Sequence, residues 1–315
     1  MTKKIPTSPP STSLPQGEGE LMREKSLLSQ TREMLLRYEL RARKGLGQHF
    51  LVNSGVLKTI TRSANLSPQD LVLEVGPGMG VLTRELVAQS GYVIAIELDA
   101  MMVDLLLETL SPAANFSLIN RDILEVEPAE LIQQEKDRFP STITDPRKYK
   151  LVANLPYYIT QPIIRHFCES KLKPQTMVIM VQKEVAKNIV AKPGDMSILA
   201  ISVQFFGKPQ IIDYVPAGNF FPAPKVDSAI LKIEMYPENC IQVTSEENFF
   251  KVVRAGFSSA RKQVANSLSQ GLDIPKSQVL SFMQQAGVAP QKRAEDLTIE
   301  ELASLENKFF KENNQ

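Results

Sequence analysis

From about residue 52 the chain alternates between two apolar patterns. Short unbroken runs bounded by Gly, Pro, Asn or Asp read as buried strands, and stretches with three- and four-residue apolar spacing read as helices. This predicts helix over Val56–Ala64, strand at Leu71–Val75, helix at Val81–Ser90 and strand at Tyr92–Glu97. Helix follows at Ala100–Leu110, strand at Phe116–Asn120 and strand at Leu151–Asn154. Thr160 is placed to cap a helix with Pro162 in its first turn. A strand at Met177–Val181 and a helix at Lys183–Val190 come next. Ile198–Phe206, Ile211–Val215 and Ser228–Met235 read as further strands, with a hairpin-like link at Gly207-Lys208-Pro209. Strands separated by helices imply a mostly parallel sheet covered on both faces, finishing antiparallel.

Three stretches depart from this alternation. Residues 1–20 read as a disordered tail, and the spacing of Leu27, Leu28, Met34, Leu35, Leu36 and Leu40 suits a helix within 21–40. The long polar connection from Pro128 to Lys150 holds a short helix, Ala129–Lys136, and a surface loop. Beyond Tyr236-Pro237-Glu238 the pattern is helical, with Glu246–Leu268, Lys276–Gln285 and Ile299–Phe310, the last preceded by capping-box spacing at Thr298 and Glu301. The expected organisation is a tail over 1–40, an α/β domain over 41–237 and a helical domain over 238–315, without internal repeats.

Composition narrows the function classes. The 315 residues suffice for one large domain and a small one, and 43% hydrophobic content allows a sizeable core. Lys and Arg number 36 against 35 Asp and Glu, so RNA binding would need a local basic face, for which Arg41, Arg43, Lys44 and the C-terminal helices are candidates. Two cysteines, Cys168 and Cys240, argue against a disulfide scaffold or zinc site, and two histidines, His49 and His166, exclude a three-histidine metal centre. No metal is expected. No run of 18 apolar residues occurs, and Met1–Gly19 lacks the apolar stretch of a signal peptide, so a cytoplasmic protein is expected, with no membrane partner.

The candidate chemistry lies at the ends of four successive strands. Glu74-Val75-Gly76-Pro77-Gly78-Met79-Gly80 follows the first, and glycine there lets the backbone turn tightly and approach a ligand. Glu97 ends the second, 21 residues after Gly76, near the spacing at which an acid meets ribose hydroxyls. Asp122 follows the third, placed to accept from an adenine amino group. A dinucleotide would suit these features equally, but two details favour S-adenosylmethionine. The loop is Gly-x-Gly-x-Gly, and Glu74 would oppose a pyrophosphate while suiting the amino group of a sulfonium ligand.

Asn154-Leu155-Pro156-Tyr157 ends the fourth strand. Adenine N6 is a poor nucleophile because its lone pair is delocalised into the ring, so it must be held in line with the methyl donor. The Asn154 side-chain oxygen and the Leu155 carbonyl can accept the two N6–H bonds, Pro156 fixes the backbone so that they converge, and Tyr157 supplies a face for an extruded base. The methylated amine is acidic and loses its proton to water, so no catalytic histidine is required.

These motifs together resemble the ribosomal RNA small-subunit adenine N6-dimethyltransferases, over about Arg43 to Leu302. The resemblance rests on Lys44-Gly45-Leu46-Gly47-Gln48-His49-Phe50-Leu51, the glycine loop, Glu97-Leu98-Asp99, Asn154-Leu155-Pro156-Tyr157 and Val181-Gln182-Lys183-Glu184-Val185. It extends to Phe220-Phe221-Pro222-Ala223-Pro224-Lys225-Val226-Asp227-Ser228, Arg261-Lys262 with Asn266-Ser267-Leu268, and Arg293-Ala294-Glu295. It implies a Rossmann-like methyltransferase sheet of seven strands, the last antiparallel, with a small all-helical C-terminal domain that binds RNA. It implies S-adenosylmethionine as methyl donor and dimethylation of two adjacent adenosines in a hairpin near the 3′ end of small-subunit rRNA, on a maturing subunit, by a monomer. By the same resemblance His49 and Leu51 belong to the segment that closes over the cofactor, Gly76 contacts its methionine part, Glu97 the ribose and Asp122 the adenine. Asn154 lies between cofactor and target, and Phe220 packs on the target base opposite Tyr157.

The chain departs from the family at Ala260 and Ala265, where arginines are usual, leaving Arg254, Arg261 and Lys262 to carry that RNA-contact patch. Two other functions compete. One is a non-catalytic ribosome-assembly factor, against which the intact Asn154 and Tyr157 argue. The other is an adenine methylase of large-subunit rRNA, whose motif tends to be Asn-Ile-Pro-Tyr. A DNA adenine methylase, usually carrying Asp-Pro-Pro-Tyr, fits less well.

Overall fold

The computed structural model describes residues 25–39, 48–110, 113–237, 240–259 and 262–311. The tail over 1–20, the basic run Arg41 to Lys44, and the pair Ala260-Arg261 lie outside the described residues. Helix α1 (Leu27–Arg37) precedes a two-residue strand β1 (Phe50–Leu51) and helix α2 (Ser54–Ala64), which Asn53 caps by accepting from Gly55 N at 2.8 Å. Five strands then alternate with helices: β2 (Leu71–Val75), α3 (Val81–Gln89), β3 (Tyr92–Glu97), α4 (Ala100–Leu110), β4 (Phe116–Asn120), α5 (Pro128–Glu135), β5 (Lys150–Asn154), α6 (Thr160–Glu169) and β6 (Thr176–Gln182). Every residue of β2 and β3 is buried, as in strands covered on both faces, and this burial includes the acids Glu74 and Glu97.

The main sheet has the order β4-β3-β2-β5-β6-β9-β7, where β7 is Gly207–Val215 and β9 is Ser228–Met235. The first five are parallel, and β9 runs antiparallel to both β6 and β7. The chain builds outward from β2 to β4, then returns to β5 on the other side of β2. This reversal opens a crevice at the carboxyl ends of β2 and β5, the usual ligand position in such sheets.

Several sequence expectations need correction. Ile198–Phe206 is not a strand but helix α8 (Ile198–Gln204), following α7 (Lys183–Ile189). An apolar run alone does not distinguish buried strand from buried helix. Ser197 decides it, its hydroxyl accepting from Ala200 N at 3.1 Å, with Ala200, Ile201 and Val203 buried while Ile198 faces outward. Removing this strand brings the sheet to seven. Gly207-Lys208-Pro209 is accordingly no hairpin link but the start of β7, where a side chain at Gly207 would meet Glu234 O at 2.7 Å. The path from β7 to β9 instead crosses residues 216–227, including β8 (Phe220–Phe221), which pairs with β1.

The second correction concerns the helix expected over Glu246–Leu268. It breaks into α9 (Glu246–Gly256), a short 3₁₀ turn at Phe257–Ser259, and α10 (Val264–Leu272). The two helices fold back so closely that a side chain at Gly271 would lie 2.7 Å from Ala255 Cα. Ala265 is 1% exposed inside this packing, so its side chain belongs to the core and not to an exposed RNA-contact patch. Helices α11 (Lys276–Gln285) and α12 (Ile299–Lys311) complete the region. Thr298 and Glu301 form the expected reciprocal cap, at 3.0 and 3.1 Å. Thr160 does not cap α6: it is the helix's first residue, and its hydroxyl donates back to Pro156 O at 3.0 Å.

One apolar cluster runs from the sheet into these C-terminal helices, joined by Phe205 stacked on Phe249 at 4.3 Å between ring centroids. Such an aromatic pair contributes about 1 kcal/mol beyond its burial. The later part of the long 123–150 connection packs against the starts of β3 and β4. Phe139 packs edge-on against Tyr92, and Ser117 links the Tyr92 hydroxyl to the buried Glu135 carboxylate.

Candidate active site

The crevice beside the carboxyl ends of β2, β3, β4 and β5 holds a pocket lined by most of the expected residues: His49, Leu51, Glu74, Gly76, Gly78, Glu97, Asp122, Asn154, Leu155 and Tyr157. Residues far apart in sequence meet here because parallel neighbours end at one edge. Glu97 pairs with Asn120, and Val75 with Ile96.

The glycine loop leaves β2 in a left-handed conformation at Gly76, Gly78 and Gly80, with φ of 66°, 55° and 74°. Gly76 N donates to Ile96 O at 2.9 Å, which ties the loop's first turn to the adjacent strand. Each oxygen of the buried Glu97 carboxylate accepts one backbone N–H: Oε2 from Gly78 at 3.1 Å and Oε1 from Asp99 at 2.9 Å. A carboxylate oxygen has two acceptor positions, so both remain able to accept a ligand hydroxyl. Burial raises the Glu97 carboxyl above its ordinary range, opposed by the Asp99 and Gly78 N–H groups and reinforced by the Asp99 charge. Asp122 is half-buried, its Oδ1 accepting from Leu124 N at 2.9 Å.

Glu74 is the least compensated group in the pocket. It is 1% exposed, and its Oε2 has no hydrogen-bond partner. Burial pushes its carboxyl up to about 8, with the nearby Thr83 hydroxyl lowering it and the Glu97 charge raising it. The Thr83 hydroxyl is itself buried without a sound hydrogen bond. A buried acid on a pocket wall with an unfilled acceptor is complementary to a cationic ligand.

Asn154 ends β5, and its Nδ2 donates to His49 O at 3.3 Å. A carbonyl oxygen only accepts, so this contact fixes which end of the amide is nitrogen and leaves Oδ1 as the available acceptor. The turn that follows is organised around Pro156 O, which accepts from Ile159 N at 3.2 Å and from the Thr160 hydroxyl, rather than around the Leu155 carbonyl. Tyr157 opens a 3₁₀ turn, and its ring stacks on His49 with centroids 5.7 Å apart and planes 28° apart. His49 Nδ1 lies 2.8 Å from Pro222 O, so that nitrogen carries the proton.

Phe220 is the exception among the expected site residues. It is 4% exposed, packed in the cluster that contains Leu51 and Val72, and is off the pocket wall. The β1–β8 ribbon explains this, because Phe220 pairs with Leu51 and points into the core behind the site. The ring facing Tyr157 is that of His49. Sequence reasoning also passed over Gln48, whose Nε2 donates to Asp99 Oδ2 at 3.1 Å, and Tyr158, an exposed ring on the pocket rim. Gln48 sits inside a motif already singled out and Tyr158 directly follows one, and that adjacency was the only signal for them. Among the described residues no cluster of three His, Cys, Asp or Glu is placed to hold a metal, and no helix is long and apolar enough to cross a membrane.

Sheet order, glycine loop and polar strand ends together define a Rossmann-like methyltransferase. Two solved structures share the fold. A dimethyladenosine transferase from Plasmodium falciparum aligns with a TM-score of 0.69 and 27% identity, covering 84% of this chain and 98% of that one. The 23S rRNA methyltransferase ErmE aligns with a TM-score of 0.64 and 27% identity, covering 82% and 98%. The family model for ribosomal RNA adenine dimethylase matches residues 39–311, and the chain belongs to that family. Relatives named ribosomal RNA small subunit methyltransferase A include one from Dehalococcoides mccartyi, 51% identical over 89% of this chain and 92% of its own. Another, from Alkaliphilus metalliredigens, is 38% identical over 88% and 95%.

Proposed function

We propose that this enzyme transfers methyl groups from S-adenosylmethionine to N6 of two adjacent adenosines in the 3′-terminal hairpin of small-subunit (16S) rRNA, acting as a monomer on a maturing subunit in the cytoplasm. The observation that carries this reading is Asn154, whose amide is oriented by His49 O so that Oδ1 remains an acceptor beside the glycine loop. The identity of 51% to a relative named for the small subunit, against 27% to the 23S enzyme, favours small-subunit RNA over large.

The pocket suits the cofactor on its own chemistry. Glu74 offers an unfilled buried acceptor to the ligand's ammonium, Glu97 offers two acceptor positions to ribose hydroxyls, and Asp122 offers Oδ2 to the adenine amino group. Gly76, His49 and Leu51 close around the methionine part; a side chain at Gly76 would point toward Pro156 at 3.8 Å, inside the pocket wall. Bound S-adenosylmethionine supplies an electrophilic methyl group. Asn154 Oδ1 and the Leu155 carbonyl accept the two N6–H bonds of the target base, which turns its lone pair toward that methyl. Tyr157 holds the base by its face. The product nitrogen is cationic and loses its proton to water. Helices α9–α12 and the basic residues near them hold the RNA backbone, which positions the target without reading sequence.

The test uses small ribosomal subunits from cells that lack the modification. Incubation with the protein and S-adenosylmethionine, then digestion and mass spectrometry, is expected to give two adjacent N6,N6-dimethyladenosines near the 3′ end. Asn154→Ala should lower the rate about 100-fold or more. Subunit binding without methylation by the wild type would favour a non-catalytic assembly factor, and methylation only of large-subunit RNA would move the target.

A further inference from the structure

We infer that Ser228 is a positioning residue for methyl transfer: from the buried start of β9 it holds the Tyr157 phenol by its far end and so fixes the ring that receives the target base. This inference rests on the reading above, in which an adenine stacks on Tyr157.

Ser228 is 0% exposed, and its Oγ lies 2.5 Å from the Tyr157 hydroxyl. Its backbone is held on both sides, in register with Gln182 of β6 and Val215 of β7. The hydroxyl therefore projects from one of the most constrained points of the sheet. Tyr157 needs such an anchor. Pro156 and the 3₁₀ turn fix its backbone, but the χ2 torsion of a tyrosine occupies a broad well, so the ring can tilt unless something holds its hydroxyl. A bond at the para position removes that freedom at the end farthest from Cα.

The segment leading into Ser228 is clamped in turn. Asp227 Oδ1 accepts from Ala217 N at 3.1 Å, and Asp227 O accepts from Lys183 N at 3.0 Å. A few residues earlier, Pro222 O accepts from His49 Nδ1. The two rings that face each other across the pocket are thus both held by the stretch Pro222–Ser228. At 5.7 Å between centroids they lie closer than two stacking distances, so a base entering between them must part the rings, and the Ser228 bond resists movement on the Tyr157 side. This assigns a task to the Lys225-Val226-Asp227-Ser228 stretch, which touches neither the cofactor wall nor the target amine.

The experiment is a double-mutant cycle on methylation of unmodified small subunits, with Ser228→Ala, Tyr157→Phe and the double variant, and with S-adenosylhomocysteine affinity measured alongside. Each single change is expected to lower kcat about tenfold, the loss of one oriented hydrogen bond. The double variant should be no slower than either single one, because both remove the same contact. Cofactor affinity should stay within about twofold, which a general disturbance of the sheet would not allow. Losses that multiply, or a Tyr157→Phe enzyme with wild-type kcat, would overturn the assignment. If Ser228→Ala does not fold, Tyr157→Phe alone decides, since it removes the bond and leaves β9 intact. Wild-type activity on the same subunits separates the two readings. An active wild type with an additive cycle rejects Ser228 alone, and an inactive wild type rejects the function and this inference together.

Discussion

Binding of the cofactor should release a proton from Glu74. The carboxyl is buried, has one oxygen without a partner, and is pushed up to about 8. At pH 7 it is then about 90% protonated in the free protein. A cationic ligand beside it favours the charged form and brings the group back toward the ordinary carboxylate range, so binding at pH 7 expels about 0.9 proton. The affinity should accordingly rise with pH, up to about tenfold per unit below 8, and level off above it. Calorimetry with S-adenosylhomocysteine in buffers of different ionisation enthalpy counts the proton. Glu74→Gln provides the baseline, including the small uptake by the ligand's own amino group. Stability gives an independent reading with a fixed sign. A carboxyl raised in the folded state binds more protons there than in the unfolded chain, so stability falls as pH rises from about 4.5 to about 8. The full effect is about 3–5 kcal/mol, and the slope should be absent in Glu74→Gln. Equal proton counts for wild type and Glu74→Gln would refute the reasoning, because the carboxyl would then be ionised already in the empty site.

Two further substitutions probe the scaffold. Gly78→Ala places a side chain at φ 55°, 3.4 Å from Phe50 Cε1, and should cost about 1–2 kcal/mol in thermal or denaturant unfolding, mostly from the left-handed backbone. It should also weaken S-adenosylhomocysteine binding, since Gly78 N is one of the backbone groups that orient Glu97. Ala265→Arg should destabilise by about 3–5 kcal/mol or prevent folding, because the site is 1% exposed against α9. A folded, active Ala265→Arg enzyme with tighter RNA binding would reject the buried placement of α10.

The polar ends of the strands were legible because each sits where an apolar run stops. Glu97, Asp122 and Asn154 each mark the close of a parallel strand, and parallel strands converge on one edge whatever joins them. Where periodicity was ambiguous, a local cap decided one outcome, Ser197 turning an apolar run into α8, while the expected long helix is interrupted at the 3₁₀ turn Phe257–Ser259. Phe220 shows a different limit. Its motif is recognisable, yet which way the ring points depends on the β1–β8 ribbon, two strands of two residues each that carry no periodic signal.

That ribbon also explains why the target side of the pocket is harder to read than the cofactor side. The cofactor side is built by β2, β3 and β4 with the turns directly after them, so order in sequence maps onto order in space. The target side joins the turn after β5 to two segments far from it in the chain, residues 48–51 and 220–228. Asn154 is oriented by His49 O, His49 is held by Pro222 O, and Tyr157 is held by Ser228, so no one of these side chains is fixed by its own neighbours in sequence. Loop closure of this kind is entropically costly, and the antiparallel β9 offsets it by bonding to β6 and β7 along its whole length. The strand that departs from the parallel order is therefore the one that delivers the far wall of the site.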